Sequence, residues 1–223
     1  MNHITNIVQI LKWNMTEISE LIKIKNLETK ISEITNFIKN EVFEIYQKKG
    51  VVIGLSGGID SAITAALCTK SIGSDKILGL ILPEKESDQN SENLAQQIAK
   101  KYNIETKSID ISNILESFGV YENKEKIVKQ KFSNYNEECK YRVVVPSKLE
   151  NNIGMPFLEI LDDENTVHKL KISSFDFLNL TAATSIKHRV RMTMLYHYAE
   201  KNNFAVIGTT NKTEYLQGYF VKY

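Results

Sequence analysis

A glycine-containing turn joins a strand to a helix in the stretch VVIGLSGGIDSAITAALC, residues Val51–Cys68. Val51–Leu55 is apolar and rich in β-branched residues, which is typical of a short strand buried on both faces. After the turn, Ala62–Thr69 shows the apolar pattern of a helix. A strand that passes directly into a helix is the basic unit of α/β folds, so this stretch places the chain in that class.

Strands and helices alternate along the rest of the chain. The remaining predicted strands are Lys76–Leu82, Ile104–Ile111 and Phe204–Gly208, and the remaining predicted helices are Ser91–Lys101, Ile114–Phe132 and Phe177–Lys201. This order predicts a doubly wound, mostly parallel sheet with helices on both faces. Ligands bind such sheets beyond the carboxyl ends of the strands, so the residues directly after each strand are the first candidates for a site.

Apolar residues before the first strand recur at steps of three and four. They are Ile34, Ile38, Val42 and Ile45. This spacing predicts a helix with one buried face, and Gly50 is the residue at which the helix is expected to stop.

One segment interrupts the alternation. Residues 135–174 contain two of the three prolines, a β-like run at Tyr141–Val145 and an acidic patch. They predict an inserted hairpin or lid. Residues 1–27 are interpreted as a helical arm. We therefore expect a single domain over residues 1–223 that carries this arm and this insertion.

The charge balance argues against a nucleic-acid partner, because 28 Lys and Arg residues face 27 Asp and Glu residues and leave no basic field. No apolar run is long enough for a signal peptide or a membrane span. Cys68 and Cys139 have neither disulfide nor metal-site spacing, and are expected to be a core residue and a free thiol, respectively. These features predict a cytoplasmic protein that has no membrane partner.

The turn itself has the composition of an anion site. Backbone N–H groups at the start of a helix lack intrahelical acceptors and attract negative charge. Gly57 and Gly58 allow the backbone to approach an anion closely, and Ser56 and Ser61 add hydroxyl donors. The turn lacks the lysine of the GxxxxGK[ST] phosphate loop and the third glycine of GxGxxG, so it belongs to neither of these types.

Asp60 is the unusual member of the turn, because a carboxylate repels phosphate unless a cation stands between them. Mg²⁺ prefers one or two carboxylates together with phosphate oxygens, which makes Asp60 a candidate metal ligand. The alternative is that Asp60 only caps the following helix, as aspartates at strand–helix junctions do. The residues of the turn leave both interpretations open.

The strand with SGGIDSA resembles the pyrophosphate loop of the N-type ATP pyrophosphatases, which have the adenine nucleotide alpha hydrolase-like fold and cleave ATP between the α and β phosphates. Two further stretches narrow the resemblance. FAVIGTTNKTEYLQGYFVKY, Phe204–Tyr223, and KHRVRMTMLYHYA, Lys187–Ala199, are similar to the G-T-x-N-K-x-E…GYFTKY pattern and the K-x-R-x-R-M helix of NAD synthetases. The chain thus resembles an ammonia-dependent NAD synthetase, in a form with an insertion before the K-x-R-x-R helix.

The resemblance implies a set of site residues. ATP binding falls to Gly54, Leu55, Ser56, Gly57, Gly58, Ile59, Asp60, Ser61 and Thr209. Magnesium binding and the catalytic role fall to Asp60 and Glu214, and binding of the dinucleotide substrate falls to Arg189 and Lys222.

Some of these residues have simpler interpretations when each is taken alone. Glu214 would then be an acid at a helix N-terminus, favoured by the helix dipole. Arg189 and Arg191 are two positions apart and are expected to point to different sides of their helix. The four histidines show no convergent spacing, so no general-base histidine is expected.

The implied reaction is that of an amide-forming ligase. The carboxylate of nicotinic acid adenine dinucleotide would attack the α-phosphate of ATP, and ammonia would then convert the acyl adenylate to NAD and AMP. The first residue stands only about 50 positions before the turn, too few for an amidase domain, so free ammonia or a separate glutaminase is expected as the nitrogen source. The resemblance also implies a homodimer, with the segments Ile31–Gln47 and Lys187–Ala199 as the expected contacts.

Three features depart from the family pattern. The sequence ends at Tyr223, where the family continues into a glycine- and aspartate-rich loop; residues 135–174 are inserted; and Ser185 replaces an asparagine. The C-terminal part of the family domain is therefore expected to be missing. Two alternatives follow: a related enzyme that amidates a different carboxylate, such as a sugar acid, or a truncated nucleotide-binding form without turnover.

Overall fold

The computed structural model describes residues 23–136, 139–145 and 155–222. Residues 1–22 of the expected arm lie outside the described residues. The helices are α1 Leu27–Asn40, α2 Ile59–Ile72, α3 Gln89–Tyr102, α4 Ser112–Ser117, α5 Val120–Lys131, α6 Ser174–Asn202 and α7 Lys212–Gln217. The strands are β1 Val51–Gly54, β2 Ile77–Ile81, β3 Glu105–Ser108, β4 Lys140–Val144, β5 Phe157–Leu161, β6 Val167–Lys171 and β7 Ala205–Ile207.

The central sheet is parallel throughout and has the strand order β3–β2–β1–β7. All four strands of this sheet were predicted from the sequence. Strand β1 lies between β2 and β7. Val52 of β1 pairs with Leu78 on one side and with Val206 on the other. The first and the last strands of the sheet in the sequence are therefore direct neighbours.

Side chains alternate between the two faces of the sheet and form a core on each. Val51 and Ile53 pack with α2 and α3 on one face, whereas Val52 packs with α4, α5 and α6 on the other. Helices thus cover both faces, and the predicted doubly wound α/β fold is confirmed. Cys68, which is fully buried in the first of these cores, is the core residue that its helical pattern indicated, and burial raises the pKa of its thiol to about 12.

The predicted apolar face of the first helix is only partly buried, because Val42 lies in the core and Ile38 packs against it, whereas Ile34 is exposed. Helix α1 contains no buried residue, and a π-helical turn, Glu41–Ile45, follows it. The wider turn brings Val42 into the core but leaves Ile45 61% exposed. Helix α1 packs on the outside of α2, where the Ser71 hydroxyl donates to the carbonyl oxygen of Thr35, and this position leaves most of its surface exposed.

The predicted helix Ile114–Phe132 is two helices. Helix α4 ends at Ser117 and α5 begins at Val120, because the chain turns through Gly119 in the left-handed region, at φ 68°. A residue in that conformation ends an α-helix, and the short turn lets α4 and α5 both pack against α6.

The described part of the insertion forms a separate three-stranded antiparallel sheet in the order β4–β5–β6. Leu158 and Ile160 of β5 are fully buried against α5 and the start of α6. Cys139 is also buried there and carries a free thiol. On the opposite face, Glu159 pairs with Arg142 and Lys169 from the two flanking strands.

Helix α6 is the longest element, and a capping box at Ser173 and Asp176 fixes its start. It runs from the inserted sheet along one face of the central sheet and ends at Asn202, shortly before β7 begins at Ala205. In the described part of the chain, no helix combines the length and the apolar content needed to cross a membrane.

Candidate functional site

The strand order creates one topological switch point. From β1 the chain crosses to β2 and β3 on one side, whereas β7 pairs with β1 on the other. In open α/β sheets the crevice at such a point is the usual ligand site. The turn after β1 and the residues after β7 therefore meet at this edge of the sheet.

Gly57 has a conformation and surroundings that only glycine allows. Its φ is 78°, and a Cβ at this position would lie 2.4 Å from the carbonyl oxygen of Ser91 in α3. The turn is therefore pressed against the first turn of α3. This close approach fixes the path of the backbone over residues 55–58.

Serine hydroxyls hold the rest of the turn. The hydroxyl of Ser61 donates to the carbonyl oxygen of Gly58 at 2.9 Å and lies 3.2 Å from the hydroxyl of Ser56. The backbone N–H of Gly58 donates to the Ser56 hydroxyl at 3.3 Å. Gly58 is the N-cap of α2, and no side chain caps this helix. The N-terminus of α2 therefore keeps its N–H groups for a ligand, as the anion-site interpretation requires.

Asp60 lies in the first turn of α2 and does not cap it, so the capping interpretation of Asp60 was wrong. Its Oδ1 instead accepts a hydrogen bond from the side-chain amide of Asn211 at 3.4 Å. Asn211 is the N-cap of α7 and ends the short loop that follows β7. The two stretches singled out in the sequence are thus joined side chain to side chain.

Glu214 belongs to the same assembly. The N–H of Glu214 donates to Asn211 Oδ1, and the N–H of Asn211 donates to Glu214 Oε2, both at 2.9 Å. This reciprocal pair is a capping box, so the simpler interpretation of Glu214 as a helix N-terminal acid is correct as far as its own helix is concerned. Asp60 and Glu214 are therefore both bonded to one residue.

The other predicted nucleotide-binding residues lie around this point. Thr209 is half-buried in the loop after β7. Leu55 is buried and its N–H donates to the carbonyl oxygen of Leu80, while Gly54 ends β1 next to Leu195 of α6. Ile59 is largely exposed. The side chain of Leu55 therefore belongs to the core, and only the backbone of Gly54 and Leu55 could serve a ligand.

Arg189 and Lys222 are brought together at a second place. The guanidinium Nε of Arg189 donates to the carbonyl oxygen of Lys222 at 3.0 Å. Both residues line an open cavity of about 630 Å³ along α6, together with Met192, Tyr196 and Val221. His188 and His197 line it as well, although their sequence spacing gave no sign of convergence.

The two arginines of the K-x-R-x-R stretch point to different sides, as predicted. Arg189 faces the cavity, whereas Arg191 donates to the carbonyl oxygen of Leu82 at the end of β2, at 3.2 Å. Lys187, one turn earlier, points the same way as Arg191 and is only 8% exposed. Burial lowers the pKa of Arg191.

An ionic cluster at the end of β2, buried at Glu84 and Lys187 and exposed at Glu86, was not foreseen from the sequence. Lys187 Nζ binds Glu84 Oε1 at 2.9 Å and Glu86 Oε2 at 2.6 Å. The hydroxyl of Tyr121 donates to Glu84 at 2.8 Å, and Lys124 pairs with Glu86. Glu84 follows a strand as closely as the residues of the glycine turn do, and the rule that ligands bind after strand ends could have marked it.

The carboxylates of this cluster stay ionised. Burial raises the pKa of Glu84, but hydrogen bonds from Lys187 and Tyr121 outweigh it and leave the pKa below its ordinary value of 4.5. Burial also raises the pKa of Glu86, and the bonds from Lys124 and Lys187 again lower it on balance. The pKa of Tyr121 rises to about 12 because of burial and its bond to Glu84.

The chain matches the family model described as NAD synthase over residues 30–158 and 146–223. Among curated proteins, it is 35% identical over 193 residues to the NH(3)-dependent NAD(+) synthetase of Mesorhizobium japonicum, covering 86% of this chain and 60% of that protein. The chain thus spans about 60% of the length of this relative.

Solved structures show the same fold. The NH3-dependent NAD synthetase of Campylobacter jejuni, solved with a nitrate ion, is 26% identical with a TM-score of 0.58, and the match covers 88% of this chain and 62% of that one. The NMN synthetase of Francisella tularensis is 24% identical with a TM-score of 0.59, and the match covers 89% and 60%. These likenesses agree with an adenine nucleotide alpha hydrolase-like architecture.

Replacing Gly57 by alanine tests the close contact between the glycine turn and α3. We expect Gly57→Ala to lower the free energy of unfolding by more than about 1 kcal/mol, because the new Cβ meets the Ser91 carbonyl in a left-handed conformation. Gly208→Ala is the control, since its Cβ would meet no described atom within 4 Å. Equal stability of the two variants in urea denaturation would contradict the expected contact.

Replacing Lys187 by methionine tests the buried ionic cluster. We expect the free energy of unfolding at neutral pH to fall by about 3 kcal/mol, because Glu84 would remain buried without its cation. The control is Lys129→Met, which removes an exposed pair with Glu125 and is expected to cost less than about 1 kcal/mol.

The same comparison has a defined pH dependence. Since the pKa values of Glu84 and Glu86 are lowered in the folded chain, their contribution is complete above pH 4.5 and is lost as the pH falls through the lowered values. The difference between the wild type and Lys187→Met should therefore be smaller at pH 3 than at pH 7. A difference that is constant from pH 7 to pH 3 would argue against the cluster.

Proposed function

Because this chain belongs to the NAD synthase family, we propose that it is an amide-forming ligase that converts nicotinic acid adenine dinucleotide to NAD with ATP and ammonia. The observation that carries this proposal is the meeting of the SGGIDS turn with the TTNKTE stretch through the bond between Asp60 and Asn211. An uncapped helix N-terminus, serine hydroxyls and two carboxylates there meet at the switch point of the sheet.

We propose that the turn holds the phosphates of ATP. The first N–H groups of α2 and the hydroxyls of Ser56 and Ser61 are the donors, and Thr209 is the contact from the other strand. Asp60 and Glu214 fit Mg²⁺, which takes one or two protein carboxylates and completes its shell with phosphate oxygens. When bound, the cation neutralises charge on the pyrophosphate that leaves. In the described part of the chain, no cluster of three or more metal-ligating side chains offers a closed metal cage, which agrees with a site shared with a nucleotide.

The proposed reaction needs no protein nucleophile. An oxygen of the substrate carboxylate attacks the α-phosphorus of ATP, the bond to the bridging α–β oxygen breaks, and pyrophosphate leaves with that electron pair. Ammonia then attacks the carbonyl carbon of the acyl adenylate and loses a proton, and AMP leaves. The residues of the site contribute by holding two anions close together and by offering hydrogen-bond donors to the leaving phosphates.

We propose the cavity along α6 as the place of the dinucleotide. Its volume of about 630 Å³ suits a ligand of that class, and Arg189 and Lys222 supply cations for its phosphates. The aromatic ring of Tyr196 and the side chain of Met192 give the apolar surface that a base can stack on.

The proposal also covers the setting of the reaction. We propose one domain that carries the inserted sheet, works in the cytoplasm, and takes its nitrogen as free ammonia or from a separate glutaminase. We propose a homodimer as well, and the support is the apolar surface that α1 leaves exposed, including Phe37 at 63%. We propose no nucleic-acid partner, because the 28 Lys and Arg residues are balanced by 27 Asp and Glu residues.

The second candidate function is the amidation of a different carboxylic acid, and the position of the inserted sheet favours it. Lys124 lies 5.5 Å from the ring centre of Tyr141 in β4 and pairs with Glu86, so the insertion contacts the cluster at the end of β2. The NMN synthetase with the same fold is named for another product, which shows that the fold does not select the acid. A sugar acid or a nucleotide acid would then replace the dinucleotide.

The exchange of labelled pyrophosphate into ATP tests the first half-reaction. We expect exchange that depends on nicotinic acid adenine dinucleotide and on Mg²⁺, and formation of AMP when ammonia is added. Exchange with nicotinic acid mononucleotide or a sugar acid instead would favour the second candidate. Absence of exchange with every acid, alongside nucleotide binding, would favour the binding module without turnover.

Two substitutions locate the chemistry. Asp60→Asn and Glu214→Gln should each lower the exchange rate by about 100-fold, since each removes one charge that holds the cation. Asp75→Asn, at an exposed acid before β2, is the matched control and should leave the rate unchanged. Full activity of Asp60→Asn would refute its assignment as a metal ligand.

A further inference from the structure

Asn211 is bonded to both carboxylates of the proposed metal pair, although it is not itself an acid. Its side chain contacts Asp60, 151 positions earlier in the chain, and its backbone N–H contacts Glu214. We propose that Asn211 is a positioning residue that holds these two carboxylates in register for a divalent cation. This inference rests on the proposed function, because it concerns the same site.

The hydrogen bonds fix the orientation of the Asn211 amide. Its Oδ1 accepts from the N–H of Glu214 at 2.9 Å, so Nδ2 is the end that faces Asp60. An amide nitrogen can only donate, and an ionised carboxylate can only accept, so this orientation is the one that satisfies both groups. An aspartate at position 211 could also cap α7, but it would repel Asp60.

Each carboxylate keeps one oxygen for a cation. Asp60 uses Oδ1 for Asn211, and Glu214 uses Oε2 for the Asn211 N–H. Over the described residues, the other two oxygens, Asp60 Oδ2 and Glu214 Oε1, make no hydrogen bond or ion pair. Outer groups that orient metal-binding carboxylates in this way affect the affinity for the metal without touching it.

The bond from Asn211 to Asp60 is also weak enough to adjust. Its length of 3.4 Å lies beyond the usual range for N–H···O bonds, whereas the two bonds of the capping box have the usual length of 2.9 Å. Asn211 thus holds Glu214 firmly and Asp60 loosely.

The competing role for Asn211 is that of the cap of α7 alone, and one substitution separates the two roles. Serine is as good an N-cap as asparagine, since its hydroxyl can accept from the Glu214 N–H, but it is too short to reach Asp60. Asn211→Ser therefore keeps the cap and removes the contact with Asp60. Asn211→Ala removes both.

The test measures the affinity of the whole chain for Mn²⁺. Electron paramagnetic resonance reports the free Mn²⁺, and the titration is done with and without α,β-methylene-ATP. We expect Asn211→Ser to weaken Mn²⁺ binding by about tenfold while the midpoint of thermal unfolding stays close to that of the wild type. Asn211→Ala should show the same loss of affinity and a lower midpoint. Ser173→Ala, which removes the cap of α6, is the control and should lower the midpoint without changing the affinity for Mn²⁺.

The outcomes distinguish the positioning role of Asn211 from the binding of a cation by Asp60 and Glu214. Wild-type affinity in Asn211→Ser, together with weaker binding in Asp60→Asn, would overturn the positioning role and leave the metal pair standing. Equal Mn²⁺ binding in the wild type, Asp60→Asn and Glu214→Gln, under both conditions, would overturn the metal pair and the role of Asn211 together.

Discussion

Parallel pairing of β1 with β7 is the constraint on which the candidate site depends. The register sets Val51 opposite Ala205 and Ile53 opposite Ile207, so the carboxyl ends of the two strands lie at the same edge of the sheet, with β1 one residue longer. Each is followed by a short loop and a helix start, and the first turns of α2 and α7 are held side by side at this edge. A shift of one residue in this register would separate Asp60 from Asn211, because loops after parallel strands move with the strands.

Helix α6 connects this edge to the remaining parts of the molecule. Lys187 and Arg191 bind it to the end of β2, and Arg189 binds it to the carbonyl oxygen of Lys222. Breaking the buried contact of Lys187 with Glu84 would leave an unpaired charge in the interior, so the position of α6 is strongly specified. Helix α6, which lines the cavity, is therefore held in place, and the loop after β2 is held against it.

Local patterns predicted the central fold well because the sheet is buried on both faces. Continuous apolar runs such as Val51–Leu55 mark strands of that kind, and the glycine pair marks the turn. The burial of the first helix was harder to predict from the sequence. Its spacing fits a buried face, but the π-helical turn at Glu41–Ile45 and its place outside α2 are set by tertiary packing, which periodicity does not report.

The site was predictable only where a residue type carries its own chemistry. Asp60 was marked because a carboxylate among phosphate donors is unusual, and its contact with Asn211 follows from strand order. The partners of Lys187 were hidden, since Glu84 lies 103 positions away and no local pattern links the two. Glu214 shows that one carboxylate can serve a helix cap and remain a candidate for a cation.

Anomalous diffraction from crystals grown with Mn²⁺ and α,β-methylene-ATP is the most direct test of the central claim, that the ends of β1 and β7 form one nucleotide and metal site. We predict one Mn²⁺ peak in direct contact with oxygens of both Asp60 and Glu214, next to phosphate oxygens at the N-terminus of α2. A peak held by the nucleotide alone, or nucleotide bound away from the SGGIDS turn, would contradict it.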